Sequence, residues 1–169
     1  KVGFDMLKSL GMRTRGVPLA HRIANIISEF ESSTPPTGEL DVTMYRDDLG
    51  MKIQPPAVAP TDIPFPIEGK DVILFDDEII TGESILEGVK AVLERGARST
   101  YAGCVHGTLA DSAAHGIAES DLQHVAVTDT IPLREQWEND KINVCSVAGL
   151  FADAIKAIHE ETSISELFT

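Results

Sequence analysis

The stretch Asp71-Val72-Ile73-Leu74-Phe75-Asp76-Asp77-Glu78-Ile79-Ile80-Thr81-Gly82-Glu83-Ser84-Ile85 decides the architecture. Asp71 to Phe75 is a short apolar run with Gly69 and Lys70 before it and acids after it, the pattern of a strand buried on both faces. From Ser84 the spacing changes: Ile85, Val89, Val92 and Leu93 fall on one helical face as far as Arg95, and Gly96 supplies a stop. A buried strand, a short polar turn and a helix in that order make the first half of a βαβ unit.

In an open α/β sheet, ligands bind beyond the carboxyl ends of the strands, where a helix N-terminus offers N–H groups to an anion. The segment has that layout. Thr81, Gly82 and Ser84 can hold a phosphate monoester through N–H groups and hydroxyls, with Gly82 letting the backbone come close. Asp76 and Asp77 can accept hydrogen bonds from a vicinal diol and help hold Mg²⁺ through water. Phosphate, diol and divalent cation together describe a phosphorylated ribose. Taken alone, an acid pair that ends a strand or a serine that caps a helix would mean nothing more; the combination directly after a buried strand points to the ligand.

Working outward, Val17, Leu19, Ala20, Ile23, Ile26, Ile27 and Phe30 share one face of a helix that starts at Gly16 and ends before Pro35, Pro36 and Gly38. Residues Glu39 to Tyr45 alternate and predict a half-buried strand. Gly50 to Pro66 holds five of the nine prolines and reads as a loop, either a lid or a plain connector. Further on, strands are predicted at Thr100 to Val105, His124 to Thr128 and Lys141 to Val147, with helices at Ser112 to Ala118 and Gly149 to His159. Alternation of this kind predicts an α/β fold, a mostly parallel sheet with helices on both faces.

The length of 169 residues with 43% apolar content fits one domain over 1–169. Neither a signal peptide nor an apolar run long enough for a membrane span is visible, so the expected compartment is the cytoplasm, with no membrane partner. A formal charge of −13 opposes RNA over the surface as a whole. The one dense basic cluster, Arg13, Arg15, His21 and Arg22, suits a pyrophosphate better than a nucleic acid. Cys104 and Cys145 lack metal-site spacing and are expected to be ordinary small core residues.

These residues carry a resemblance that divides along the chain. GMRTRGVPLAHRI, GELDVTMYRDDL and TDIPFPIEGKDVIL, from about Leu10 to Ile73, are similar to the bifunctional pyrimidine operon regulator and uracil phosphoribosyltransferase (PyrR) family. DDEI, LERGAR, VHGTLADSA, VTDTIPL and AIKAIHEETSISELF, from about Gly69 onward, are similar to the C-terminal domain of ribose-phosphate diphosphokinase. The chain reads as a hybrid or engineered combination of two relatives on the type I phosphoribosyltransferase fold.

The resemblance implies that Asp76, Asp77, Glu78, Thr81, Gly82, Glu83 and Ser84 bind ribose 5-phosphate, and that Arg13, Thr14, Arg15 and Gly16 form a pyrophosphate loop. It assigns catalytic work to Asp76, Asp77 and Arg46, with Tyr45 to Asp48 as the base of a lid; a surface turn with a salt bridge is the competing reading of that stretch. It also implies Mg²⁺ as cofactor and a homodimer or higher homo-oligomer. Glu83 departs from the small residue usual at its position, and a carboxylate there should weaken phosphate binding unless it points outward. His106 falls in a loop that the diphosphokinases place close to the active site, although a structural histidine is the simpler reading. The implied activity is phosphoribosyl transfer to a pyrimidine base, uracil in the PyrR-like relatives, or alternatively part of a diphosphokinase or a non-catalytic binding scaffold.

Overall fold

The computed structural model describes residues 6–31, 33–42, 62–137 and 139–168. Among these residues six strands form one parallel sheet: β1 (Leu7–Met12), β2 (Thr37–Leu40), β3 (Asp71–Glu78), β4 (Ser99–His106), β5 (Leu122–Thr128) and β6 (Ile142–Cys145). Four helices follow strands: α1 (Gly16–Phe30), α2 (Glu83–Glu94), α3 (Asp111–Glu119) and α4 (Ala148–His159). The α/β expectation holds.

Strand order is β2-β1-β3-β4-β5-β6. From β1 the chain steps one way to β2, whereas from β3 it steps the other way to β4. Right-handed crossovers therefore put α1 and α2 on opposite faces and leave a crevice between the carboxyl ends of β1 and β3, the topological switch point. The core lies on the α2–α3 side, where Leu10, Leu74, Ile85, Val92, Ile117 and Val125 are all at most 1% exposed.

The structure departs from the sequence expectations at four points. β1 was not foreseen: Lys8, Ser9 and Gly11 interrupt its apolar pattern, yet it is paired on both sides in the sheet interior. The predicted strand from Glu39 to Tyr45 is instead Thr37–Leu40, because its ladder ends at Met12↔Leu40, where β1 runs out; residues 43–45 lie outside the described ones. The strand predicted over Lys141 to Val147 shortens to Ile142–Cys145, since the Asp129 carboxylate takes the Val147 N–H at 2.8 Å and turns the chain into α4. Cys145 is also exposed on that edge strand, not in the core, whereas Cys104 is buried. Most of the Gly50 to Pro66 loop, residues 50–61, falls outside the described residues.

At the amino end of the sheet, far from the crevice, Asp71 is 1% exposed and accepts bonds from Arg98 Nε at 2.8 Å, Arg98 Nη2 and Ser99 Oγ at 2.6 Å. The Arg98 hydrogen bond holds its carboxyl below the ordinary value of 3.8. Its contribution is therefore complete above pH 3.8 and fades as pH falls through the lower native value. Asp71→Ala should lower stability at pH 7 by about 2 kcal/mol, since Ser99 loses its acceptor and Arg98, half in solvent, can be rehydrated. Urea unfolding at pH 7 and again near pH 2.5 should show the gap between wild type and variant narrowing in acid. A gap that is constant with pH would count against the ion pair.

Candidate functional site

The crevice is a cleft of about 670 Å³ lined from the β1–α1 loop on one side and the β3–α2 loop on the other. Its existence depends on Gly16. A Cβ there would lie 1.9 Å from the Phe75 carbonyl oxygen and 3.1 Å from Asp76 Cα, so only glycine lets α1 start against the end of β3. That contact brings two segments some 60 residues apart in sequence to the same mouth, and Arg15 Nη1 sits 3.2 Å from Asp77 Oδ2 across it. The Arg13–Thr14 peptide bond is cis.

Arg13 is held on the other side by β2 and the residue after it, with Nε 3.0 Å from Glu39 Oε2 and Nη1 3.9 Å from Asp41 Oδ2. Sequence reasoning did not find these two acids, although both stand in the GELD segment. Only the parallel β1–β2 register, in which Gly11 pairs with Glu39, brings them beside Arg13. Of the basic cluster, Arg13 and Arg15 line the cleft; His21 and Arg22 do not, and His21 Nδ1 instead shares a 3.0 Å hydrogen bond with Thr37 on β2.

At the end of β3, Asp76 and Asp77 are half-buried, and the Asp77 N–H donates to Asp76 Oδ1 at 2.9 Å. The chain then turns through Gly82, which has φ +83°, a left-handed conformation that glycine adopts without strain. The first α2 bond is Leu86 N–H to Gly82 C=O at 3.0 Å; Gly82 itself offers no side-chain cap, and the Glu83 N–H reaches Thr81 Oγ1 at 3.5 Å. Thr81, Gly82, Glu83 and Ser84 all line the cleft. α1 likewise starts without a side-chain cap. Two helix N-termini thus face one cleft, the arrangement that favours an anion between them.

Glu78 lines the cleft too and accepts a bond from Thr108. His106 Nδ1 shares a 2.9 Å hydrogen bond with Thr130, and its carbonyl accepts the Ile79 N–H at 3.0 Å; it stays outside the cleft, in keeping with the structural reading. Behind the acids, burial pushes the Cys104 thiol up to about 12, so it packs as an inert side chain. Arg46 and the rest of the stretch from Tyr45 to Asp48, read from the sequence as a lid base or a surface turn, lie outside the described residues.

Among the described residues no three His, Cys, Asp or Glu side chains gather into a metal cage. Asp76 and Asp77 suit Mg²⁺ only if the ion takes most of its ligands from water and from a bound phosphate, which is how Mg²⁺ is usually held beside nucleotides.

Parallel sheet, switch-point cleft and paired acids before a helix N-terminus define the type I phosphoribosyltransferase fold. Within it, the chain belongs to the phosphoribosyl synthetase-associated domain family, whose profile matches residues 24–169. It is 47% identical over 103 residues to a "Ribose-phosphate pyrophosphokinase" of Caldanaerobacter subterraneus, a match covering 61% of this chain and 33% of that one. It is 46% identical over 87 residues to a "Bifunctional protein PyrR" of Chloroflexus aurantiacus, covering 52% and 48%. The crystal structure of phosphoribosylpyrophosphate synthetase from Mycobacterium smegmatis superposes with a TM-score of 0.72 at 26% identity, over 94% of this chain and 47% of that one. Both resemblances are therefore present, and the chain spans a third to a half of the length of these relatives.

Proposed function

We propose that this chain binds phosphoribosyl pyrophosphate with Mg²⁺ in the switch-point cleft and transfers the phosphoribosyl group to a pyrimidine base, with uracil and phosphoribosyl pyrophosphate giving UMP and pyrophosphate. The observation that carries the reading is the Gly16–Phe75 contact, which sets Arg13 and Arg15 opposite Asp76 and Asp77 across one cleft. In this reading the amides and hydroxyls of Thr81, Gly82 and Ser84 hold the 5-phosphate, and Asp76 and Asp77 accept hydrogen bonds from the ribose 2- and 3-hydroxyls. Arg13 and Arg15 orient the pyrophosphate and take up charge as its bond to C1 breaks and a ring nitrogen of the base closes on C1, its N–H proton passing to the departing pyrophosphate or to water. Arg46 is assigned the further task of neutralising charge on the departing pyrophosphate. Bound Mg²⁺ would neutralise phosphate charge while Asp76 and Asp77 fix its waters.

A second reading rests on the 47% identity with the pyrophosphokinase: a ribose-phosphate diphosphokinase-like unit that handles ribose 5-phosphate and ATP. A scaffold that binds without turnover is the third. Calorimetric titration with phosphoribosyl pyrophosphate and Mg²⁺ should give one saturable site. UMP formed from uracil would support transfer, and phosphoribosyl pyrophosphate formed from ribose 5-phosphate and ATP would support the second reading. Binding with no product from either mixture would leave the scaffold, and the absence of binding would defeat all three.

A further inference from the structure

The cleft has a charge imbalance that its ligand makes conspicuous. Among the described residues its lining carries four carboxylates, Asp76, Asp77, Glu78 and Glu83, against the guanidinium groups of Arg13 and Arg15. Both guanidiniums already face acids, Arg15 at Asp77 and Arg13 at Glu39. A phosphate ester brings a further charge of about −2 near neutral pH. Three of the four acids lie at the end of β3, where a diol or a cation can use them. Glu83 is different: it is exposed in the first turn of α2, on the phosphate side of the cleft, directly after the left-handed Gly82. A carboxylate in a first helical turn stabilises that helix by meeting the same field and amides that an incoming anion would use.

We infer that Glu83 is a specificity-determining residue that competes with the 5-phosphate for the start of α2 and so makes the cleft select phosphate esters accompanied by a divalent cation. The inference rests on the proposed phosphate site and deepens it. The cation offsets the combined negative charge, while the naked ester meets Glu83 uncompensated. Glu83→Gln keeps the side chain's size and removes its charge, and Thr81→Ala removes a hydroxyl from the phosphate turn without altering charge.

The test is titration of the whole chain with ribose 5-phosphate, with and without Mg²⁺, at low and at 1 M salt. Glu83→Gln should tighten metal-free binding by about tenfold at low salt, and the gain should shrink at 1 M salt, where screening reaches only a few ångström. The enhancement given by Mg²⁺ should fall correspondingly, and Thr81→Ala should weaken binding with or without the ion. If Thr81→Ala weakens binding while Glu83→Gln matches wild type, the phosphate site stands and the role given to Glu83 is wrong. If neither substitution changes binding, or neither wild type nor Glu83→Gln binds under any condition, both the site and the inference fail. Metal-free binding that is undetectable in wild type and measurable in Glu83→Gln would support it.

Discussion

Gly16→Ala should destabilise the protein by about 3 kcal/mol, the upper range for forcing a methyl group into a packed site. The added Cβ would meet the Phe75 carbonyl oxygen at 1.9 Å and its carbon at 2.8 Å. Both are backbone atoms of a central strand, paired with β1 on one side and β4 on the other, so neither can swing away as a side-chain tip would. The relaxation left is for α1 to lift its first turn off β3. That movement carries Arg15 away from Asp77 and opens the cleft, so binding of phosphoribosyl pyrophosphate should be lost at temperatures where the variant is still folded. Gly149→Ala in α4 is the matched control. Its Cβ would meet nothing within 4 Å, and replacing an exposed helical glycine should raise stability by about 0.5–1 kcal/mol. Urea midpoints of the two variants on either side of wild type would agree with this account; a Gly16→Ala midpoint equal to wild type would remove the basis for the cleft.

How far the sequence showed this in advance differs between its two loops. The β3–α2 segment was readable because everything it needs is local: four apolar residues buried on both faces, then acids, then a glycine turn and a change of period. β1 was unreadable for the opposite reason. Lys8 and Ser9 look like surface residues, but the sheet buries Ser9 to 3% and the Lys8 ammonium lies over the Phe65 ring at 5.7 Å. Tertiary neighbours decide such a strand, not its own pattern. The same holds within the site. Arg13 to Gly16 is legible as an anion loop, but not that Gly16 must touch Phe75, nor that Glu39 and Asp41 take hold of Arg13, because both facts depend on strand order and register. Cys145 shows the limit of alternation as a guide to burial: it sits in a regular apolar–polar pattern on an edge strand whose side chains are exposed beyond Ile142. The fully exposed side of α4 follows suit, with Phe151, Ile155 and Ile158 in solvent at 59%, 65% and 63%.

Asp77→Asn should separate the site's function from the protein's stability. The Arg15–Asp77 pair is open to water, with Arg15 80% and Asp77 35% exposed, so losing it should change stability by no more than about 0.5 kcal/mol. Binding responds through charge instead. In the proposed site Asp77 serves both a ribose hydroxyl and the waters of Mg²⁺, so removing its carboxylate should weaken Mg²⁺-dependent binding of phosphoribosyl pyrophosphate by about 10- to 100-fold, the scale of one charge-assisted hydrogen bond. Adding Asp76→Asn should abolish it. The released Arg15 gives the opposite sign in a second experiment: pyrophosphate without metal should bind the Asp77→Asn variant more tightly than wild type, because a guanidinium formerly shared with Asp77 becomes available to the anion. A generic loss of folding would depress both measurements together, and a surface acid with no part in the site would move neither. Opposite responses to the same substitution are expected only if Arg15 and Asp77 share one ligand across the cleft, and a parallel loss or an unchanged pair of affinities would rule that sharing out.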